Sequence, residues 1–220
     1  LGVVQHDLFG AAEAADLPPG ITLLKGWISS EDGRAVLDAM QDVFAVAPPY
    51  RLRMKNGSYV INRMTNCGEL GWHSDTKGYR YIDRHPELDT PWPPIPARVK
   101  ALAMQAATEA GAPFEPDACL VNFYEAAGKM NLHQDHDEKD FSWPIVSFSF
   151  GCDALFALGG EKRRDPVQPI VLSHGDVLVM HGAGRMRFHG VKKIVAGTAP
   201  FDHPAIPGGG RLNLTFRRAA

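Results

Sequence analysis

Apolar and polar positions change period once along this chain. Between Glu31 and Phe44 the apolar residues Val36, Leu37, Met40, Val43 and Phe44 recur three and four apart, which predicts an amphipathic helix with Ser30 as its N-cap. Val99, Leu102, Ala103 and Ala106 repeat that spacing and predict a second helix over 96–110, with a proline in its first turn and Gly111 as its stop. The segment between the helices is rich in Gly, Asn, Tyr and Arg and closes on Pro91-Trp92-Pro93-Pro94-Ile95-Pro96; it reads as hairpins and loops rather than a core layer. After Gly111 the pattern shortens to strands, predicted at 118–124, 130–135, 144–150, 154–158, 168–172, 176–181, 185–191 and 211–217. Short strands at this spacing suit a sandwich or jelly roll, braced from outside by the two helices. The fold class is therefore α+β, with an all-β catalytic half from about residue 116 onward.

Composition narrows the picture. At 220 residues and 24.0 kDa the chain can bury a sizeable core, and 45% hydrophobic with 22% charged residues excludes disorder. Apolar runs such as Val177-Leu178-Val179-Met180 are too short to span a bilayer, so no membrane association is expected. Residues 1–7 show no basic end followed by an apolar stretch, so a secretory leader is not expected. The three cysteines, Cys67, Cys119 and Cys152, form no C-x-x-C pair, and a reducing cytoplasm is the expected location. A net charge of −2 conceals alternation: 1–48 and 85–140 are acidic, 51–84 and 185–220 basic. Such alternation suits either a local basic groove for a polyanion or a mixed, solvated surface.

The chemistry concentrates in Asn131-Leu132-His133-Gln134-Asp135-His136-Asp137-Glu138. In a strand, residues two apart share a face, so His133 and Asp135 project together. With His189 they make two imidazoles and one carboxylate, the facial triad of non-haem Fe(II) oxygenases. A zinc site or an unligated polar turn fits the His-x-Asp pair alone equally well, and His136 is a rival ligand. Support comes from 211–217, where Leu212, Leu214 and Phe216 face one way and Arg211, Asn213, Thr215 and Arg217 the other. Two guanidinium groups on one face suit a ligand with a carboxylate at each end. Asn122 and Tyr124 share a face of the 118–124 strand and could donate to the same dicarboxylate.

These pieces resemble the AlkB-type Fe(II)- and 2-oxoglutarate-dependent dioxygenases, which repair alkylated nucleic acid. The matching motifs are Thr65-Asn66-Cys67-Gly68 with Leu70-Gly71-Trp72, Pro116-Asp117-Ala118-Cys119-Leu120 leading to Asn122-x-Tyr124, His133-Gln134-Asp135-x-Asp137-Glu138, Pro144-Ile145-Val146-Ser147, His174-Gly175-Asp176-Val177 and Arg211-x-Asn213-Leu214-Thr215-Phe216-Arg217. They run in order from about 50 to 218, and the resemblance is closest to the bacterial members. It implies a double-stranded β-helix core over 116–220 and an N-terminal extension, 1–115, that carries the bracing helices and a nucleotide-recognition lid, the whole forming one compact catalytic unit.

The resemblance also implies roles. His133, Asp135 and His189 would hold Fe(II). Arg211 and Arg217 would bind the carboxylates of 2-oxoglutarate, assisted by Asn122, Tyr124 and Asn213. Trp72 would stack on the damaged base beside Tyr79 and Tyr81, Asp137 would contact the methylated base, and Arg163 would contact nucleic acid. With O2 as the third reactant, the implied reaction is oxidative demethylation of 1-methyladenine- or 3-methylcytosine-type bases in single- or double-stranded DNA, and in RNA, releasing succinate, CO2 and formaldehyde. No obligate protein partner is implied. Competing readings are a hydroxylase with the same cofactors acting on a protein side chain or small metabolite, a zinc hydrolase, and a nucleic-acid-binding barrel without catalysis.

Overall fold

The structure is a computed structural model describing residues 17–220; the leader reading at residues 1–7 lies outside them. In chain order the elements are β1 (Ile21–Leu24), α1 (Ser30–Val46), β2 (Tyr50–Arg53), β3 (Tyr59–Gly68), β4 (Gly71–Asp75), β5 (Gly78–Ile82), α2 (Ala97–Glu109), β6 (Ala118–Tyr124), β7 (Met130–His133), β8 (Ile145–Gly151), β9 (Asp153–Leu158), β10 (Gln168–Leu172), β11 (Val177–Met180), β12 (His189–Val195) and β13 (Arg211–Arg217). Seven strands form a larger sheet, β1-β11-β8-β13-β6-β3-β2, and four a smaller one, β10-β9-β12-β7, with β4–β5 as a separate hairpin. This is the jelly roll expected of the strand pattern, with the last strand placed centrally between β6 and β8.

Alternation decides which side chains go where. Phe123, Val121 and Cys119 of β6 and Leu212, Leu214 and Phe216 of β13 are buried in one cluster with Val36, Leu37, Met40 and Val43 of α1 and Val99, Ala103 and Ala106 of α2. Burying each of the larger apolar side chains stabilises the fold by roughly 1.5–3 kcal/mol. The opposite face of the larger sheet meets the smaller one through Ile145, Leu178 and Met180 against Phe156, Leu158, Ile170 and Leu172. That second layer stops short of Asn122, Arg211, Asn213 and Arg217, where polar side chains border a cavity instead.

Three sequence expectations are corrected, and one strand is added. The α1 cap is Ser29, not Ser30: its side chain accepts from the Asp32 amide. The segment between the helices does supply core strands, since β3 pairs with β6 from Arg63↔Phe123 to Gly68↔Ala118. Its buried polar residues disguised it, because Thr65 donates to the Ala47 carbonyl and Asn62 to the Lys129 carbonyl. The strand expected at 185–191 begins at His189 and runs to Val195, past a register shift between Val191 and Lys193. Gly182–Gly184 forms a 3-10 turn before it, and the short β1 had not been anticipated.

Gly190 shows how tightly the two site strands approach. A Cβ there would lie 2.5 Å from the Met130 carbonyl oxygen on β7. Gly190→Ala is therefore expected to lower the urea midpoint by an amount equivalent to about 1–3 kcal/mol, the usual range for overpacking. An unchanged midpoint would show that β7 yields freely.

Candidate active site

β7 ends on His133 and β12 opens on His189, and the antiparallel register sets the two opposite each other. Their ring centroids are 4.5 Å apart. Asp135, two residues beyond His133, places Oδ1 3.6 Å from His133 Nε2 and Oδ2 3.7 Å from His189 Nε2. One ligand atom from each of the three residues lies within 4.8 Å of the others. His133 Nδ1 is 2.9 Å from the Asn131 carbonyl, and His189 Nδ1 is 3.0 Å from that of Arg187. A carbonyl partner keeps the proton on Nδ1 and leaves the Nε2 lone pair for a metal.

Electrostatics agree with a cation site. Burial pulls the His189 pKa down to about 4, helped by the neighbouring His133, so the ring is neutral at pH 7. Burial pushes the Asp135 carboxyl up, but Arg217, His189 and His133 outweigh it and hold the group well below the usual carboxylate range. Two imidazoles and one carboxylate leave coordination positions open, the donor set of mononuclear Fe(II) oxygenases. His136 is outside this set: it is exposed, with Nδ1 3.3 Å from Asp137.

Arg211, Asn213 and Arg217 alternate inward from β13, and Asn122 stands opposite Asn213 and Tyr124 opposite Arg211 on β6. All five border the same cavity of about 700 Å³ as the triad. The two arginines are not equivalent. Arg217 donates to Asp135 Oδ2 at 2.6 Å and pairs with Glu138 Oε1 at 3.2 Å. Burial opposes its charge, but Asp135, Tyr81 and Glu138 raise its pKa. Arg211 is 1% exposed and, among the described residues, meets neutral acceptors, the carbonyls of Cys152 and Leu172 and the Ser149 hydroxyl. Burial pulls its pKa down to about 10. Among the described residues its Nε has no partner, nor has Asn122 Oδ1. A buried guanidinium without a counter-anion is expensive and calls for an anionic ligand. Tyr124 adds a buried hydroxyl whose contact is the Met130 sulfur at 3.9 Å. These unpartnered buried donors and acceptors fit 2-oxoglutarate.

The cavity mouth carries the aromatic residues. Trp72 and Tyr79 stack with centroids 5.5 Å apart and planes 16° off parallel. Trp72 Nε1 donates to Asp137 Oδ2 at 2.7 Å. Arg163 is exposed at the mouth and donates to the Leu132 carbonyl. Tyr81 does not border the cavity: its hydroxyl goes to Glu138 Oε1 at 2.6 Å. Two residues of the site were without a role in the sequence reading. Glu138 is 6% exposed and collects Tyr81, Arg217 and Arg185, the last through an NH2–Oε2 bond of 2.9 Å. Asn66 exchanges two hydrogen bonds with the backbone of Trp72, 3.0 and 3.1 Å long. Both stand in the quoted motifs, which were the available signal; their partners are distant in sequence.

A jelly roll holding an inward His-Asp-His set beside an uncompensated buried arginine defines a non-haem iron oxygenase that takes an anionic co-substrate. The comparisons agree: residues 20–217 match the 2OG-Fe(II) oxygenase superfamily, and the chain belongs to that family. Its cofactors are Fe(II), 2-oxoglutarate and O2. The chain is 43% identical over 208 residues to the alpha-ketoglutarate-dependent dioxygenase AlkB of Salmonella typhimurium, covering 93% of this chain and 92% of the relative. It is 34% identical to the DNA N(6)-methyladenine demethylase ALKBH1D of Arabidopsis thaliana, across 90% of this chain and 49% of that protein. The solved structure of OsALKBH1 superposes with a TM-score of 0.80 at 31% identity, covering 92% of this chain and 98% of the other.

Proposed function

We propose that this dioxygenase oxidatively demethylates N-alkylated bases of the 1-methyladenine and 3-methylcytosine type in DNA, with RNA as a second substrate. The observation that carries the reading is the stacked Trp72–Tyr79 pair, joined to a carboxylate through Asp137, at the mouth of the triad's cavity. A base inside a duplex cannot reach a buried metal, so it is flipped out or supplied single-stranded. Once out it needs a π-surface, which contributes roughly 1–3 kcal/mol per base. Methylation at adenine N1 or cytosine N3 makes the base cationic, and the Asp137 carboxylate favours that form.

His133, Asp135 and His189 hold the metal in this reading. Arg211 pairs with the co-substrate carboxylate far from the metal and Arg217 with the nearer one, while Asn122, Tyr124 and Asn213 supply neutral hydrogen bonds. Trp72 stacks on the base with Tyr79 stacked behind it, Tyr81 supports their hairpin, and Arg163 takes a phosphate. Fe(II) with 2-oxoglutarate and O2 supplies the oxidation that hydroxylates the N-methyl carbon, with succinate and CO2 as co-products. The hydroxymethyl group then leaves as formaldehyde and the base is restored. Residues 17–115 supply the bracing helices, the β4–β5 recognition hairpin and three strands of the larger sheet, and form one catalytic unit with 116–220. Three free, buried cysteines suit the cytoplasm, and among the described residues no helix is long and apolar enough to cross a membrane.

The test is incubation with Fe(II), 2-oxoglutarate, O2 and a single-stranded oligonucleotide containing 3-methylcytosine, with succinate and formaldehyde as readouts. Stoichiometric formaldehyde with restored cytosine, abolished by His133→Ala, is expected. Succinate without demethylation would move the substrate to a protein or metabolite, and neither product from folded, iron-loaded protein would leave a binding module.

A further inference from the structure

The β4–β5 hairpin is hydrogen-bonded to neither large sheet as a strand partner. Two-stranded hairpins are marginal alone, so its seating depends on side-chain contacts. Two of these come from consecutive acids just beyond the metal carboxylate: Trp72 Nε1 donates to Asp137, and Tyr81 donates to Glu138. Glu138 in turn grips Arg217 Nε with the same oxygen that accepts from Tyr81, while its other oxygen is held by Arg185 at 2.9 Å. Arg185 also donates to the Asp135 carbonyl at 2.8 Å and to that of Trp143 at 3.1 Å. Arg217 closes the chain on Asp135 at 2.6 Å. Hairpin, Glu138, co-substrate arginine and metal carboxylate therefore form one buried, charge-assisted path.

We propose that Glu138 is a positioning residue that links seating of the base-binding hairpin to the orientation of Arg217, so that a bound methylated base tightens the grip on 2-oxoglutarate. This rests on the base-recognition reading above. Arg217 donates Nε–H and one NH2 proton to Asp135 Oδ2, and Glu138 Oε1 lies 3.2 Å from the same Nε as a second anion, which fixes the guanidinium plane and leaves its remaining protons for a ligand. A base stacked against Trp72 holds the hairpin down, keeps the Tyr81 phenol on Glu138 and removes Arg217's freedom to tilt. Fixing that plane beforehand lowers the ordering cost of ligand binding. Linkage makes the effect reciprocal: 2-oxoglutarate strengthens base binding by the same factor.

The experiment titrates 2-oxoglutarate into the anaerobic Fe(II) protein, following the metal-to-ligand absorption band with and without a 3-methylcytosine oligonucleotide. Oligonucleotide binding is read separately by fluorescence anisotropy. Wild type is expected to bind 2-oxoglutarate about fivefold more tightly with the oligonucleotide present, the lower end of ordinary coupling. Tyr81→Phe, which keeps the ring and the charge balance, is expected to erase that ratio, and Tyr81→Phe/Glu138→Gln to lose no more than either single variant. A merely structural Glu138 would lower stability and leave the ratio at about fivefold in Tyr81→Phe. Oligonucleotide binding with unchanged 2-oxoglutarate affinity, or a ratio that survives Tyr81→Phe, overturns this proposal alone. Absence of oligonucleotide binding overturns the base-recognition reading with it.

Discussion

Arg211→Lys is expected to lose 2-oxoglutarate binding by at least about a hundredfold, or roughly 3 kcal/mol, even though it keeps the positive charge. Arg211 commits NH1 to the Cys152 and Leu172 carbonyls and NH2 to Ser149 Oγ. That leaves Nε–H and one NH2 proton, the number of donors a bidentate carboxylate takes. A lysine ammonium has three donors in all, so satisfying these acceptors leaves none for the ligand, and its point charge cannot reproduce the fork. Differential scanning calorimetry checks it: 2-oxoglutarate with Mn(II) raises the wild-type melting temperature, and Arg211→Lys should show only the rise due to metal. An equal rise in both proteins would place the co-substrate elsewhere.

Asp135→Asn is expected to reduce formaldehyde release to background and to erase the stabilisation by Mn(II), about 2.7 kcal/mol when the metal stands at a hundred times its dissociation constant. The change is isosteric, so its effect is electrostatic. It removes the site's anionic ligand and leaves Arg217 with Glu138 as its remaining ion-pair partner. Breaking a buried pair costs about 3–5 kcal/mol, so the variant should also melt earlier without metal. Asp140→Asn, outside the metal group, should leave metal stabilisation and turnover unchanged. A Mn(II) response retained in Asp135→Asn would refute the ligand assignment.

Much of this site was legible because β6 and β13 alternate, and alternation is a local property. The inward set Asn122, Tyr124, Arg211, Asn213 and Arg217 follows from period two; the strand expected at 130–135 ends at His133, so Asp135 reaches the site from the loop beyond it and alternation does not account for its place. What was not legible depends on distant partners. Asn62, Thr65 and Asn66 look like loop residues until the Lys129 and Ala47 carbonyls and the Trp72 backbone come to meet them. Arg185 looked like part of a strand; it caps the 3-10 turn instead and is buried against Glu138, a partner 47 residues away. Glu138 itself carries no local signal beyond its place in the motif. The difference between the two arginines was equally hidden, since it lies in which carboxylates surround them.

β13 also bears on how the molecule is made. It is the last strand in sequence, yet it sits in the middle of the larger sheet and carries both arginines. Until it inserts, β6 and β8 present open edges to each other, and such long-range pairing is slow to form. On the proposed assignment, the growing chain therefore has its three metal-binding side chains before it has a complete receptor for the co-substrate. Metal captured early, before the arginines of β13 are in place, would sit in a half-built barrel with an aggregation-prone slot between β6 and β8, so insertion of β13 couples the closing of the sheet to the completion of the site.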